Sequence, residues 1–224
     1  MRNTIKSRVI TLALRIILYV HSLSYRAAGV LASMNEGGIH PKHRIQNYHK
    51  FFLDNIEPTD RVLDVGCGDG VLTADMASKA SLVIGVDINP ARIKKAKERN
   101  MRDNTRYFGG DVTSISMMAL AYPQKYEVIT MSNVLEHIEK RIDFLSFWGR
   151  RGKKILIRVP VLNRGWLPVY MKELGMDYRL DKGHFTEYTV ATLNEELEAA
   201  GLTLEEHYIN FGEILAVARG EDTI

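Results

Sequence analysis

Three carboxylates at matching places in successive stretches of the chain are the residues best placed to do chemistry. The segment Val62-Leu63-Asp64-Val65-Gly66-Cys67-Gly68-Asp69-Gly70 runs from a β-branched, apolar stretch into a glycine-rich turn. Glycines there permit positive φ and let a ligand lie against bare backbone. The spacing discriminates between cofactors, because a dinucleotide fingerprint requires G-x-G-x-x-G and Val71 stands where its third glycine belongs. Asp87 ends the next apolar run, Leu82-Val83-Ile84-Gly85-Val86-Asp87, and is followed by Ile88. A carboxylate at that place can accept both hydroxyl protons of a ribose as a bidentate pair, which suits any adenosine cofactor. Asp111 and Val112 follow a third run, where a side-chain acceptor and the next backbone N–H can meet an adenine edge.

The elements that must hold these residues are legible from periodicity. Strands are expected at Arg61–Val65, Leu82–Asp87, Thr105–Phe108, Glu127–Met131 and Lys154–Val159, with helices near Val71–Lys79, Pro90–Asn100 and Val134–Trp148 between them. Pro90 suits a first helical turn and Asn89 an N-cap. Alternation of this kind predicts βαβ units and a doubly wound, mainly parallel α/β sheet. Residues 161–186, with Gly165, Pro168, Gly175 and Gly183, are too long for an ordinary connection and read as an insertion on the acceptor side. A helix near Val190–Ala200 and a terminal hairpin, Thr203–Asn210 with Ile214–Ala218 around Gly212, complete the chain.

Length and composition exclude several classes. A chain of 224 residues favours one elaborated domain over two, and 46% hydrophobic with 25% charged residues excludes a disordered, collagen-like or polytopic membrane protein. The single Cys67 can form neither an internal disulfide nor a thiolate zinc cluster, which is compatible with a reducing cytosol and an expected cytoplasmic location.

The glycine turn and the three acids resemble the class I S-adenosylmethionine-dependent methyltransferases, over about Lys42 to Arg219. The likeness is greatest to the small-molecule branch related to ubiquinone-biosynthesis O-methyltransferases. Tyr126-Glu127-Val128-Ile129-Thr130-Met131-Ser132-Asn133-Val134-Leu135-Glu136-His137-Ile138 is similar to that branch's fourth-strand motif. His184-Phe185-Thr186-Glu187-Tyr188 and Leu197-Glu198-Ala199-Ala200-Gly201-Leu202 are similar to its tail. The resemblance implies a Rossmann-like seven-stranded sheet with one antiparallel strand, and S-adenosylmethionine as cofactor with S-adenosylhomocysteine as product. It also implies site residues: Gly66, Cys67, Gly68 and Gly70 around the methionine portion with Asp64 near its amino group, Asp87 and Ile88 at the ribose, Asp111 and Val112 at the adenine, and Asn133 beside the cofactor.

Methyl transfer from a sulfonium is a direct displacement, so alignment of the acceptor supplies much of the acceleration and a base is optional. His137 and His184 are the candidate bases. A structural alternative for the first is a helix start, with Asn133 as N-cap and Glu136 closing a capping box. Some related O-methyltransferases hold a divalent metal through Glu-x-x-Glu-His; Asn133 replaces the first carboxylate here, two ligands remain, and no metal is expected. Cys67 reads as a small turn residue, with no His or Lys beside it to activate the thiol. Trp166, Tyr170, Tyr178, Phe185 and Tyr188 are candidates either to wall an acceptor pocket or to fill the core.

Residues 1–50 carry eight Lys/Arg against the single acid Glu36, a charge of +7, which leaves 3 − 7 = −4 on the rest. Arg8, Thr11, Arg15, Ser22 and Arg26 recur at whole helical turns as a polar stripe on an otherwise apolar helix. Its apolar run, residues 9–20, is about 18 Å as a helix and should not span a bilayer. The readings open for residues 1–50 are a basic extension lying peripherally in a membrane interface, a lid or dimer element, and a cleaved secretory signal, which Arg15 interrupts. Arg44, just ahead of residues 51–224 as the main domain, could pair with the cofactor carboxylate. The expected partner is a small-molecule acceptor, free or lipid- or sugar-linked. A non-catalytic S-adenosylmethionine-binding module docking through the helix is the alternative. Nucleic acid is not expected, for want of a base-flipping motif or interleaved aromatic and basic residues, and a dehydrogenase is disfavoured by Val71.

Overall fold

The computed structural model describes residues 2–38, 40–114 and 125–220, with side chains from residue 8 onward, so the side chains of Arg2 and Lys6 lie outside the described set. Two compact units emerge: residues 1–47 with 166–178, and residues 48–165 with 179–224.

In the larger unit β1 (Arg61–Val65), β2 (Leu82–Asp87), β3 (Thr105–Gly109), β4 (Tyr126–Ser132), β5 (Gly152–Pro160), β6 (Leu202–Asn210) and β7 (Glu213–Gly220) form one sheet in the order β3-β2-β1-β4-β5-β7-β6. The first five are parallel, and β7 runs against both its neighbours, β5 and β6. Each expected strand is present. Both faces are covered, so the strands read as continuous apolar runs rather than as alternating ones. On one face Val62, Val83, Val128 and Leu156 pack with Phe52 of α3 (His49–Asp54) and Leu72 and Met76 of α4 (Val71–Met76). On the other, Leu63, Ile129 and Ile155 pack with Leu145 and Trp148 of α6 (Arg141–Gly149) and Leu193 and Leu197 of α8 (Val190–Ala199). Helix α5 (Pro90–Arg99) starts as its sequence requires, the Asn89 side chain accepting from the N–H groups of Ala91 and Arg92.

One expected helix is broken. Instead of running from Val134 to Trp148, the chain makes a single 3-10 turn, Leu135–His137, continues extended at Ile138, and begins α6 only at Arg141. Val134, Leu135, Glu136 and Ile138 are all buried, and four inward side chains in five residues cover more of the circumference than one stripe of an α-helix.

The smaller unit holds α1 (Arg2–Asn35), α2 (Lys42–Gln46) and α7 (Trp166–Glu173). Helix α1 has 34 residues, about 51 Å. By length and composition its Arg8–Asn35 portion is able to cross a membrane. The expectation from residues 9–20 was therefore too short, because Ala27-Ala28 and Val30-Leu31-Ala32 extend the apolar helix past Ser22 and Arg26.

A buried ion pair crosses the junction between the parallel and antiparallel parts of the sheet. The Arg158 guanidinium of β5 donates to the Glu213 carboxylate of β7, both nearly inaccessible, and lies 3.5 Å over the Tyr48 ring. Its other arm donates to Ser132 Oγ at 3.2 Å. Removing one partner strands a buried charge. Glu213→Leu is expected to cost about 3–5 kcal/mol of stability, and Arg158→Met with Glu213→Leu to recover most of it, as read by chemical denaturation.

Candidate active site

The glycine turn is held by the second strand. Gly66 and Cys67 both donate to the Val86 carbonyl, at 2.8 and 3.0 Å, and the Asp87 carboxylate accepts from Gly68 N at 2.9 Å and Asn89 N at 2.8 Å. Asp87 thus fixes the loop and keeps lone pairs to spare for a diol. Gly66, Gly68 and Gly70 all have positive φ. At two of them space is also limiting: a Cβ on Gly66 would stand 2.6 Å from Val134, and one on Gly70 would stand 2.7 Å from the Tyr107 hydroxyl.

Asp64 is buried in the strand, where Thr73 and Thr130 donate to its two oxygens at 2.5 and 2.8 Å. Burial pushes its carboxyl up to about 6, against the pull of the two hydroxyls. Asp111 is exposed and accepts from the N–H and hydroxyl of Thr113, while Val112 packs against the core and Ile88 is exposed. Cys67 is buried against Gly85, and burial pushes its thiol pKa well up, as expected of a packing residue. Arg44, in the smaller unit, pairs with Glu36 at 2.6 Å.

Past β4 the structure departs from the capping-box reading. Asn133 is left-handed with φ 56°, its N–H donating to the Arg158 carbonyl, and Val134 occupies the cap without a side-chain hydrogen bond. The Asn133 side-chain oxygen and both Glu136 carboxylate oxygens are buried and accept no hydrogen bond among the described residues. Glu136 is therefore not a helix cap. Burial pushes its carboxyl up to about 8, with Glu213 and Glu187 adding to the rise.

Both candidate histidines stand beside this carboxyl. One donor atom from each of Glu136, His137 and His184 lies within 4.8 Å of the others, and the imidazoles meet edge to face with centroids 4.8 Å apart. The loop carrying His184 is sewn to the 3-10 turn: Phe185 N donates to the Glu136 carbonyl at 2.7 Å, and His137 Nδ1 lies 3.1 Å from the Gly183 carbonyl. His184 Nδ1 faces Glu187 Oε1 at 3.3 Å. With Nδ1–H donating to these oxygens, each ring keeps the Nε2 lone pair as its acceptor. Desolvation and the neighbouring His184 hold the His137 pKa below its ordinary value, the Gly183 carbonyl opposing them.

Glu187 stood in the tail motif of the sequence, which gave it no role. It is buried, accepts from Leu180 N at 2.5 Å and from Arg164, and orients His184. Burial raises its pKa, but the hydrogen bonds from His184, Leu180 and Arg164 outweigh burial and hold it low. The signal was its place three residues after His184, which became meaningful only once the loop was folded. The sequence also counted two metal-ligating residues here; with His184 the described residues offer three, a number that suits a divalent ion in an open site. Among the aromatic candidates Tyr188 belongs to the core, its hydroxyl donating to Glu196, whereas Phe185 is exposed.

Residues 39–207, well over half of the chain, match the methyltransferase-domain family. The ubiquinone biosynthesis O-methyltransferase of Saccharophagus degradans is 31% identical over 107 residues, 46% of this chain and 44% of the relative. The protein of the same name from Thiobacillus denitrificans is 30% identical over 143 residues, 62% of this chain and 61% of its own. The chain thus spans less than two thirds of the length of these relatives. Magnesium protoporphyrin IX methyltransferase from Synechocystis PCC 6803, solved with bound S-adenosylhomocysteine, shares the fold with a TM-score of 0.63 at 16% identity, over 80% of this chain and 83% of that one. The glycine turn held by Asp87 and the seven-stranded sheet lie within the matched residues or continue from them, and the match over residues 39–207 shows that the chain belongs to the methyltransferase-domain family.

Proposed function

We propose that this protein moves a methyl group from S-adenosylmethionine to a hydroxyl oxygen of a small-molecule, lipid-linked or sugar-linked acceptor by in-line displacement. The observation that carries the reading is the buried Glu136 carboxyl, without a hydrogen-bond partner among the described residues and flanked by two imidazoles, two residues from the Val134 that presses on Gly66. Of the usual acceptors, an aliphatic hydroxyl most needs such a group, because its proton must leave as the new bond forms. Likeness to proteins named as O-methyltransferases supports oxygen as the receiving atom.

When bound, S-adenosylmethionine supplies an electrophilic methyl carbon: its S–C bond breaks as the O–C bond forms, sulfur keeps the electron pair, and S-adenosylhomocysteine is released. The bare backbone of Gly66, Cys67, Gly68 and Gly70 would cradle the methionine portion, with Asp64 fixing the strand beneath its amino end. Asp87 and Ile88 would take the ribose and Asp111 and Val112 the adenine, and Asn133, whose side-chain oxygen is buried without a partner among the described residues, would lie beside the cofactor. The proton passes to the Glu136–His137–His184 cluster, whose carboxyl is poised near neutrality. The same three donors also suit a divalent ion, whose chemistry would be to acidify a bound hydroxyl. Full activity after chelator treatment supports side chains alone as the proton acceptor, and loss restored by Mg²⁺ or Zn²⁺ supports the ion.

Calorimetric titration tests the cofactor: wild type should bind S-adenosylhomocysteine, and Asp87→Ala should weaken binding roughly 10- to 100-fold, the worth of charge-assisted hydrogen bonds. Absence of binding to the wild type would overturn the reading.

The Glu136 shift makes opposite demands on activity and stability. As proton acceptor it must be ionised, so kcat/KM should climb with pH through about 8. Glu136→Gln should lower kcat about 10²- to 10⁴-fold and flatten that limb. Its pKa is raised on folding, so the folded state holds a proton that the unfolded state has lost. The associated stability is present below the unfolded value, about 4.5, and is lost progressively as pH rises to about 8. Glu136→Gln should therefore melt above wild type at pH beyond that window, as read by thermal scans.

A further inference from the structure

Helix α1 is arranged opposite to an ordinary surface helix. Its covered positions, Thr11, Leu14, Leu18, Ser22, Arg26 and Gly29, recur every three or four residues as one stripe, which sets Thr11, Ser22 and Arg26 beside Leu14 and Leu18. Within the same unit, Arg15 at the stripe's edge donates to the Leu174 carbonyl at 2.8 Å, and Arg26 lies 3.9 Å from Asp177. The other side, roughly half of the circumference at 100° per residue, presents Val9, Leu12, Ile16, Val20, Leu23 and Leu31, each between 47% and 63% exposed. From Val9 to Asn35 the helix carries no Lys, Arg, Asp or Glu except Arg15 and Arg26, so this open face is uncharged along about 40 Å. Soluble chains rarely leave so continuous an apolar face in water.

We propose that this face docks on a phospholipid membrane with an anionic surface, α1 lying in the plane of the interface. Charge selects lipid over a second copy of the chain: the smaller unit, residues 1–47 with 166–178, has eight Lys/Arg against three acids, a charge of +5, which attracts an anionic leaflet and would repel its own twin. The orientation follows from what covers the stripe. Leu174 and Asp177 lie along the middle of α1, and with them come Lys172 and Glu173. Threading α1 through a bilayer would draw these charged groups into hydrocarbon. Lying flat, the helix sinks its apolar half into the acyl boundary and keeps its polar stripe on the protein side. This inference rests on the smaller unit alone and stands whether or not the chain transfers methyl groups.

Flotation of the full chain with vesicles of phosphatidylcholine, with and without phosphatidylglycerol, tests it. Wild type should float with the anionic vesicles and much less with the neutral ones. Ile16→Glu with Val20→Glu should weaken flotation at least about tenfold while circular dichroism shows unchanged helix. Val20→Cys carrying an environment-sensitive dye, specific because Cys67 is buried, should shift to the blue on anionic vesicles and gives a readout that does not depend on the double variant folding. Absence of wild-type flotation, or flotation that survives both glutamates, overturns the proposal. So does a dimer in light scattering that the glutamates dissociate, which would make the second copy the occupant.

Discussion

The Arg158–Glu213 pair is the interaction on which the site end of the sheet depends. A guanidinium removed from water must be matched on every side. Here it is met by a carboxylate from the antiparallel strand, a hydroxyl from β4 and the face of Tyr48. Its cost in desolvation is returned only when these groups converge, which ties the register of β5 and β7 to the end of β4. The backbone of the same residue then accepts from Asn133 N, so the left-handed turn that ends β4 is anchored to the charge that pins the neighbouring strands.

From that anchored turn the chain is forced inward. Glu136 is carried to a buried place where no donor among the described residues meets it, a local sacrifice of stability of the kind that marks functional positions. The loop beside it is better provided with partners. Glu187 takes three donors and orients His184, and the Gly183 carbonyl orients His137. The contrast between two buried glutamates, one of which feels the other's charge, is instructive: hydrogen bonds hold one ionised, and their absence lets burial drive the other towards neutrality.

The smaller unit follows a different physical rule. In the larger unit the sheet buries apolar side chains on both of its faces, whereas α1 brings Arg15 and Arg26 to the segment 166–178 and leaves an apolar face exposed. The sequence displayed the stripe clearly, but a stripe of polar residues on an apolar helix is ambiguous: it marks the wet side or the paired side, and only the partners of Arg15 and Arg26 distinguish the two.

Local chemistry determined much of this protein. Val71 and the glycines at 66, 68 and 70 excluded the dinucleotide turn, Asp87 marked the strand tip, and Asn89-Pro90 set the start of a helix, because each effect acts within a few residues. Strand positions were legible because a parallel sheet buries both faces and leaves continuous β-branched runs. Tertiary structure alone decided the rest. Asn133 and Glu136 have the spacing of a capping box, yet burial of Leu135, Glu136 and Ile138 against the sheet prevents the helix that such a box would start. His184 reaches His137 across 47 residues of separation because the Phe185 N–H bonds the Glu136 carbonyl. No local pattern encodes that approach, since its energy comes from groups that meet only after the sheet has formed.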